Sequence, residues 1–204
     1  MPTIMLIRHG STDMNNASSD KDCIRGWKDV PLSREGIQEA KHLASEIDDP
    51  PDVLVSSDLS RASDTADIVS KEIEVPVSVV SKSFRPWDVG KYQGKISKEV
   101  VPILADYAAN KPDEKLDGGE SFNDFKGRFF QGIESLIDLY PGKSIGIASH
   151  HRNERLLAAW EAKGFPPDGD IDQKVFASKG APPGSICEFA VPERKLEEVI
   201  DEVA

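Results

Sequence analysis

The chain has 204 residues, the size of one ordinary domain, and a formal net charge of −11. This acidity argues against nucleic acid, whose binding proteins carry basic patches, and no apolar run approaches the ~18 residues of a membrane span. Cys23 and Cys187 are too few for a disulfide framework. We therefore expect a single domain over residues 1–204, in the reducing cytoplasm, with neither nucleic acid nor a membrane as a partner.

Short apolar runs rich in Val and Ile alternate with helical patterns along the chain. Five runs are typical of strands covered on both faces, and they are Thr3–Ile7, Val53–Ser56, Val77–Val80, Ser144–Ala148 and Ser185–Val191. Helices with an apolar face are predicted after Ser33, from Leu59, over Ile96–Ala109, from Phe122 and around Leu156. This alternation predicts an α/β fold in three layers, with a mostly parallel central sheet and helices on both faces. Asp168–Gly184, which contains Pro and Gly, is predicted to be a surface loop.

The tripeptide Arg8-His9-Gly10 stands where the first predicted strand ends. A neutral histidine can attack phosphorus, the neighbouring arginine can bind phosphate oxygens in a planar fork, and the glycine lets the backbone approach a ligand. Open α/β sheets bind ligands beyond the carboxyl ends of their strands, which is the position of this tripeptide.

Further motifs follow in a fixed order. They are Asn15, Gly26–Gly36, Ser56–Ala62 with Thr65 and Ala66, Gly118–Ser121 and Ile147–His150. In this order and spacing the chain resembles the histidine phosphatase superfamily, in its phosphoglycerate-mutase-like branch, from about Thr3 to about Trp160. The resemblance implies the same three-layer fold.

The resemblance also implies a site for phosphoryl transfer, which asks a protein mainly for positioning and charge stabilisation. His9 would be the nucleophile and would form a phosphohistidine that water then hydrolyses. Arg8 and Arg61 would hold the non-bridging oxygens, and His150 would add a donor as an imidazolium. All of these side chains follow strands that end at one edge of the predicted sheet.

Asn15 and the Arg25-Gly26 turn match family positions that line the substrate. Asn15 either donates to phosphate or caps its loop, and Arg25 either reaches the substrate or covers the neighbouring indole. His151 stands where a glycine is usual after the second histidine, so it either narrows the pocket, adds a donor, or is simply exposed.

The general acid departs from the family pattern. In much of the superfamily a glutamate lies four residues before the glycine of a Gly-x-x-x-Gly segment, and Pro86 occupies that place ahead of Gly90–Gly94. Asp88 is the nearest carboxylate and is predicted to be the proton donor. The alternatives are Glu120, Glu154 or no donor at all, in which case aryl phosphates would still react and alkyl phosphates would react slowly.

These residues favour a metal-independent phosphatase that hydrolyses a small phosphorylated substrate through phospho-His9 and needs no cofactor. A phosphoglycerate mutase would use the same intermediate, but the segment between Tyr92 and Asp117 is short for one. A phosphoester-binding regulatory protein with a weakened site is a third interpretation, motivated by Pro86. Residues 16–24 form a long insertion that we interpret as a lid, and a homo-oligomer is compatible with the sequence.

Overall fold

The computed structural model describes residues 3–15 and 21–192. In that part of the chain five strands form one sheet in the order β3-β2-β4-β1-β5. The strands are β1 (Thr3–Arg8), β2 (Val53–Ser57), β3 (Val77–Ser81), β4 (Ile145–Ser149) and β5 (Ile186–Ala190). The pairs β1–β4, β2–β4 and β2–β3 are parallel, and β5 runs antiparallel to β1. All five predicted strands and the mostly parallel sheet are therefore confirmed.

Helices cover both faces of this sheet. They are α1 (Arg34–Ser45), α2 (Ser60–Ile73), α3 (Ser97–Asn110), α4 (Phe122–Leu139), α5 (His151–Glu161) and α6 (Gln173–Ala177). Because successive side chains of a strand point to opposite faces, β1 divides its residues between two cores. Ile4 and Leu6 join the larger core with α3, α4 and α5, whereas Met5 and Ile7 join the smaller core with α1 and α2. This confirms the predicted three layers.

The prediction of a plain loop over Asp168–Gly184 is wrong in part, because α6 lies within it. Asp172 caps this helix by accepting hydrogen bonds from the backbone N–H groups of Lys174 and Val175. Phe176 is buried, with its ring centroid 5.0 Å from that of Phe122. A helix of five residues is too short to show a helical period in the sequence. None of the described helices is long and apolar enough to cross a membrane.

The loop after β1 is held against the start of α1 by a close backbone approach. A Cβ atom added at Gly36 would lie 2.0 Å from the carbonyl oxygen of Ser11. The Ser33 hydroxyl donates to the same oxygen at 3.1 Å and accepts the Gly36 N–H at 3.0 Å. This contact positions the loop that begins with His9.

We expect Gly36→Ala to lower the free energy of unfolding by about 2–4 kcal/mol, because the added methyl group forces two backbone segments apart. Urea unfolding of the variant and the wild type measures the difference. Gly127→Ala on α4 is the matched control, since a Cβ there meets nothing within 4 Å and should leave stability unchanged or raise it by up to about 1 kcal/mol. Equal effects of the two substitutions would contradict the steric explanation.

Candidate active site

A cavity of about 210 Å³ opens at the edge of the sheet where β1, β2 and β4 end. It is lined by nearly all of the residues that the sequence singled out, namely Arg8, His9, Asn15, Arg25, Gly26, Arg61, His150 and His151. The parallel register explains the convergence. Arg8 is paired with Ser149 across β1 and β4, so His9 and His150 both follow the same rung of the sheet.

His9 is buried and holds a defined tautomer. Its Nδ1 lies 2.7 Å from the carbonyl oxygen of Gly10, and a carbonyl can only accept, so Nδ1 carries the proton and Nε2 keeps its lone pair. Burial first, and then the charges of Arg61 and Arg25, hold the pKa of His9 well below its usual value of 6.5. The imidazole is therefore neutral at physiological pH, which is the form that can attack phosphorus.

His150 faces His9, with their ring centroids 5.2 Å apart. Its Nε2 lies 2.9 Å from the hydroxyl of Ser57, while Nδ1 is buried without a hydrogen-bond partner. Burial, followed by the charge of Arg61, holds the pKa of His150 well below 6.5. This direction disfavours the predicted imidazolium, and its main cause is the burial of the ring, which the sequence does not reveal.

The two arginines of the cluster are held by backbone carbonyls. Arg61 donates from Nη1 to Lys28 O and from Nη2 to Gly26 O, both at 2.9 Å. Arg8 donates from Nη1 to the carbonyl oxygen of Ala181. Burial is the main cause that lowers the pKa of Arg61 to about 9 and that of Arg8 to about 10, so both guanidiniums stay charged at neutral pH.

Three nitrogens of this cluster are buried and have no hydrogen-bond partner, and they are Arg8 Nε, Arg61 Nε and His150 Nδ1. The other buried unpaired side-chain atoms of the described chain belong to Asn153 and Arg155 on α5. Unpaired buried donors are rare because each one costs the free energy of its lost hydration. Arg8, Arg61 and His150 all line the cavity, so these nitrogens are candidates to bind an oxyanion there.

The structure does not bring Asp88 to the cavity. Pro86, Trp87 and Val89 line the cavity, but Asp88 does not. The Asp88 carboxylate is turned to its own loop, where Oδ1 accepts from Gly90 N at 3.1 Å and from Gln93 at 3.2 Å. The backbone N–H of Asp88 is in turn held by Glu120 at 2.9 Å. The geometry thus gives the predicted proton donor no contact with a substrate in this cavity.

The alternative carboxyls do not line the cavity either. Glu120 is paired with Arg128 at 2.6 Å, and Glu154 accepts the N–H of Ala181 at 3.4 Å. Within the described lining the one acidic side chain is Asp22, which lies 3.6 Å from an Arg25 nitrogen. Asp22 belongs to the predicted lid over residues 16–24, of which residues 16–20 lie outside the described residues.

The sequence left alternative roles open for Asn15 and for Arg25, and the structure bears on both. The carbonyl oxygen of the Asn15 side chain accepts from Thr12 N at 2.9 Å and from its hydroxyl at 3.0 Å, so Asn15 caps its loop and also lines the cavity. Arg25 does not cover the indole of Trp27, because the guanidinium of Arg85 lies over that ring at 4.6 Å. Arg25 lines the cavity instead.

Part of the wall was not named residue by residue from the sequence, although Asp22 and Ile24 fall within the predicted lid over residues 16–24. These lining residues are Asp22, Ile24, Ser97, Val101, Leu104 and Arg152. Val101 and Leu104 belong to the apolar side of α3, which a sequence cannot distinguish from an ordinary core face. For Arg152 a signal existed, since it stands two residues after His150 at the start of a predicted helix.

The buried histidines predict a pH-dependent stability. The pKa of His151 is lowered to about 3, mainly by burial and then by Arg8, and the pKa values of His9 and His150 also lie below 6.5. The unfolded chain binds these protons near pH 6.5 and the folded chain does not, so the unfolding free energy falls as pH drops below that value. We expect a loss of about 3 kcal/mol between pH 6.5 and 5.5 in urea unfolding, and His151→Gln should remove roughly a third of it. Equal stability at the two pH values would contradict this.

Comparison with known proteins decides the family. Residues 4–171 match the histidine phosphatase superfamily (branch 1). The chain belongs to the histidine phosphatase superfamily. It is 28% identical over 151 residues to an uncharacterized phosphatase, PhoE, of Bacillus subtilis (strain 168), a match that covers 74% of this chain and 72% of that protein. A metal-independent phosphoserine phosphatase of Arabidopsis thaliana is 28% identical over 154 residues, or 72% of this chain and 63% of the relative.

Mutases are also among the relatives of this chain. Phosphoglycerate mutase 1 of Saccharomyces cerevisiae (strain ATCC 204508 / S288c) is 33% identical over 134 residues, which are 63% of this chain but only 47% of the mutase. Among solved structures, a mycobacterial glucosyl-3-phosphoglycerate phosphatase superimposes with a TM-score of 0.69 at 24% identity, covering 92% of this chain and 89% of that one. That similarity confirms the fold.

Proposed function

We propose that this protein is a metal-independent phosphatase that hydrolyses phosphomonoesters through a phosphohistidine on His9. The observation that carries the proposal is a neutral His9, protonated on Nδ1, in one cavity with three buried side-chain nitrogens that have no partner. The Nε2 lone pair forms a bond to phosphorus while the bond to the leaving oxygen breaks and its electron pair stays with that oxygen. Water then attacks phosphorus, the N–P bond breaks, and inorganic phosphate and the neutral imidazole are released.

Each of the other groups has a defined part in this reaction. The Arg8 and Arg61 guanidiniums stabilise charge on the non-bridging oxygens, and because both are already fixed by carbonyls they need little reorganisation. If Ser57 donates to Nε2 of His150, the Nδ1 of that ring is a donor for a third oxygen. The Gly10 carbonyl accepts from Nδ1 of His9 and stabilises the positive charge that develops on the ring as it becomes phosphorylated.

Trapping of the intermediate tests the proposal. The protein is mixed with p-nitrophenyl phosphate labelled in the phosphoryl group, quenched in alkali within one turnover, and digested, and the labelled peptide is identified. We expect label on His9 that is stable in alkali and lost in acid. Turnover without such label would overturn the phosphohistidine route, and absence of both turnover and label between pH 5 and 8 would favour the phosphoester-binding alternative.

The mutase alternative uses the same intermediate, and its support is the similarity to named mutases. The two functions differ in what accepts the phosphoryl group, which is water in one case and a second phosphoglycerate in the other. Measuring both rates on 3-phosphoglycerate separates them. We expect release of inorganic phosphate to exceed transfer, and a transfer rate far above the release rate would replace the phosphatase with the mutase.

The leaving group receives no proton from Asp88 in this proposal, because that carboxylate faces Gly90 and Gln93. We therefore expect Asp88→Asn to change kcat/KM less than about twofold for phenyl phosphate and for an alkyl ester such as glycerol 3-phosphate alike. Without a donor from that loop, aryl esters should react faster than alkyl esters, since phenolate is the better leaving group. A selective loss on the alkyl ester in Asp88→Asn would restore Asp88 as the acid.

The chemistry of the cavity also defines the partners that we propose. A volume of about 210 Å³ suits a small phosphorylated metabolite, since drug-sized ligands occupy roughly 300–1,000 Å³. With its net charge of −11 the chain offers little attraction to nucleic acid or an anionic membrane. Both cysteines are unpaired, which agrees with a cytoplasmic location.

A further inference from the structure

Glu39 is a half-buried carboxylate on α1 that no step of the proposed reaction uses. Both of its oxygens accept from one residue of the loop after β1. Oε2 accepts the backbone N–H of Ser11 at 2.6 Å, and Oε1 accepts the Ser11 hydroxyl at 2.9 Å. Hydrogen bonds to a charged acceptor are roughly twice as strong as neutral ones. A carboxylate is therefore held against a single peptide N–H beside the nucleophile.

The N–H that Glu39 holds belongs to the peptide unit that joins Gly10 to Ser11. The carbonyl oxygen of that same unit accepts from Nδ1 of His9 at 2.7 Å. The unit is trans and planar, so its C=O and its N–H point in opposite directions. The Glu39 carboxylate and the His9 ring therefore contact opposite edges of one peptide plane.

The neighbouring groups of the backbone fix the orientation of this peptide. The N–H of Gly10 donates to the Thr65 hydroxyl on α2 at 3.3 Å. The carbonyl oxygen of Ser11 accepts from the N–H of Ser33 at 2.9 Å and from its hydroxyl at 3.1 Å. A Cβ atom added at Gly10 would lie 2.2 Å from the carbonyl oxygen of Gly36. The peptide should therefore keep its orientation when only the charge at its N–H is changed.

We propose that Glu39 is a positioning residue for the nucleophile, and that its negative charge acts through the peptide between Gly10 and Ser11 on Nδ1 of His9. This inference rests on the proposed function, because positive charge develops on the ring only as the N–P bond forms. A carboxylate on the N–H polarises the peptide and makes its carbonyl oxygen a stronger acceptor. The stronger acceptor stabilises the charged, phosphorylated ring more than the neutral ring. Glu39 thus lowers the barrier to phosphorylation of His9 and stabilises the phosphohistidine.

The charges around His9 are consistent with this role. Burial, and then the charges of Arg61 and Arg25, lower the pKa of His9, whereas its hydrogen bond to Gly10 raises it. The guanidiniums that bind the phosphoryl group therefore oppose positive charge on the attacking ring. A carboxylate behind the Gly10 carbonyl offsets part of this opposition without lining the cavity, where it would repel the substrate.

Glu39→Gln tests the charge while keeping the shape of the side chain. Its amide oxygen can still accept the N–H of Ser11, and its amide nitrogen can donate to the Ser11 hydroxyl. Rapid quenching with labelled p-nitrophenyl phosphate measures the formation and the hydrolysis of phospho-His9 separately. We expect formation to slow about tenfold. Hydrolysis should be no slower than in the wild type, because the same change destabilises the charged intermediate that this step consumes.

Two further variants assign the effect to the peptide route. Glu35→Gln removes the same charge from an exposed position one turn earlier on α1 and should leave both rates within about twofold of the wild type. Ser11→Ala removes the hydroxyl but keeps the peptide N–H on Glu39, so it should slow formation less than Glu39→Gln does. A larger loss in Ser11→Ala would assign the effect to the hydroxyl and overturn the proposal.

A role in holding the loop, or in supporting Arg8, would give a different pattern. Burial lowers the pKa of Arg8 to about 10, and the charge of Glu39 is among those that oppose this shift. If Glu39 acted through Arg8, the affinity for inorganic phosphate would fall in Glu39→Gln, whereas we expect it to stay within about twofold. Equal slowing of both steps, a parallel loss of phosphate affinity, or a formation rate within twofold of the wild type would contradict the proposal.

Failure of this inference and failure of the phosphatase give different results. Normal phosphorylation of His9 in both the wild type and Glu39→Gln would remove the role of Glu39 and leave the phosphatase intact. If the wild type forms no phosphohistidine, the proton on Nδ1 of His9 still reports the coupling by NMR of the histidine-labelled protein. We expect its resonance to move upfield in Glu39→Gln, because the hydrogen bond to Gly10 weakens, and not in Glu35→Gln. An unmoved resonance in Glu39→Gln would count against the coupling even then.

Discussion

Replacing His9 with glutamine is expected to lower kcat/KM for p-nitrophenyl phosphate by about 10⁴-fold, because the reaction loses the nitrogen that bonds to phosphorus. No other neutral imidazole can take over its part. One ring nitrogen of His150 lies at hydrogen-bond distance from the Ser57 hydroxyl. The pKa of His151 is lowered to about 3 by burial and by Arg8, and no described ring contact joins His151 to His9. Initial rates and the yield of alkali-stable phosphoprotein measure the effect, and both should fall together.

The control for this substitution is His42→Gln. The His42 side chain is 75% exposed on α1, far from the cavity lining, so the same chemical change there should leave the rate within a factor of about two. Unfolding in urea must be measured for both variants, since His9 also donates from Nδ1 to Gly10 O inside the fold. A folded His9→Gln variant with a rate within tenfold of the wild type would show that the nucleophile lies elsewhere.

Replacing Arg61 with lysine is expected to lower kcat/KM by about 10²–10³-fold even though the charge is kept. The Arg61 guanidinium donates hydrogen bonds from Nη1 to Lys28 O and from Nη2 to Gly26 O. Its Nε has no partner in the protein and is available to the anion. An ammonium group is a point donor and cannot hold both carbonyls and the phosphoryl oxygen in one plane. The affinity for inorganic phosphate should fall in parallel with the rate, because product and transition state share these oxygens.

Arg34→Lys is the matched control, since Arg34 is exposed on α1 and neither lines the cavity nor holds a loop there. Arg61→Lys also loosens the Gly26–Lys28 turn, so its unfolding free energy should drop by about 1–2 kcal/mol, the value of one or two carbonyl contacts. A rate within threefold of the wild type, in a variant with intact phosphate affinity, would exclude Arg61 from the anion site.

Local patterns predicted most of the fold, because the strands are buried on both faces. A strand of that kind is a short uninterrupted apolar run, which explains why β2 and β4 were recognised with their ends shifted by only one residue. The five-residue helix α6 was not predicted because its length hides any period, and the cap at Asp172 and the packing of Phe176 are contacts that stabilise it. Motif order was enough to place His9, Arg61 and His150 around one cavity.

The direction of Asp88 required long-range contacts. Its loop is held by the segment around Gly119, where a Cβ atom would lie 2.4 Å from the carbonyl oxygen of Asp88, and by the Glu120 carboxylate on its N–H. These partners are about thirty residues away in the chain. The sequence around Asp88 therefore does not predict that its carboxylate turns toward Gly90. The closeness of Asp88 to Pro86 in the sequence therefore did not predict where the Asp88 carboxylate points.

Which chemical groups stand at the ends of the parallel strands could be predicted from the sequence, since strand identity follows from short-range patterns and the motif order matches the family. The extent to which those groups are buried from water, and which of them lack hydrogen-bond partners, follows only from the folded structure. Burial is a sum over contacts from distant segments, and that sum lowers the pKa of His150 and leaves a nitrogen of Arg61 without a hydrogen-bond partner.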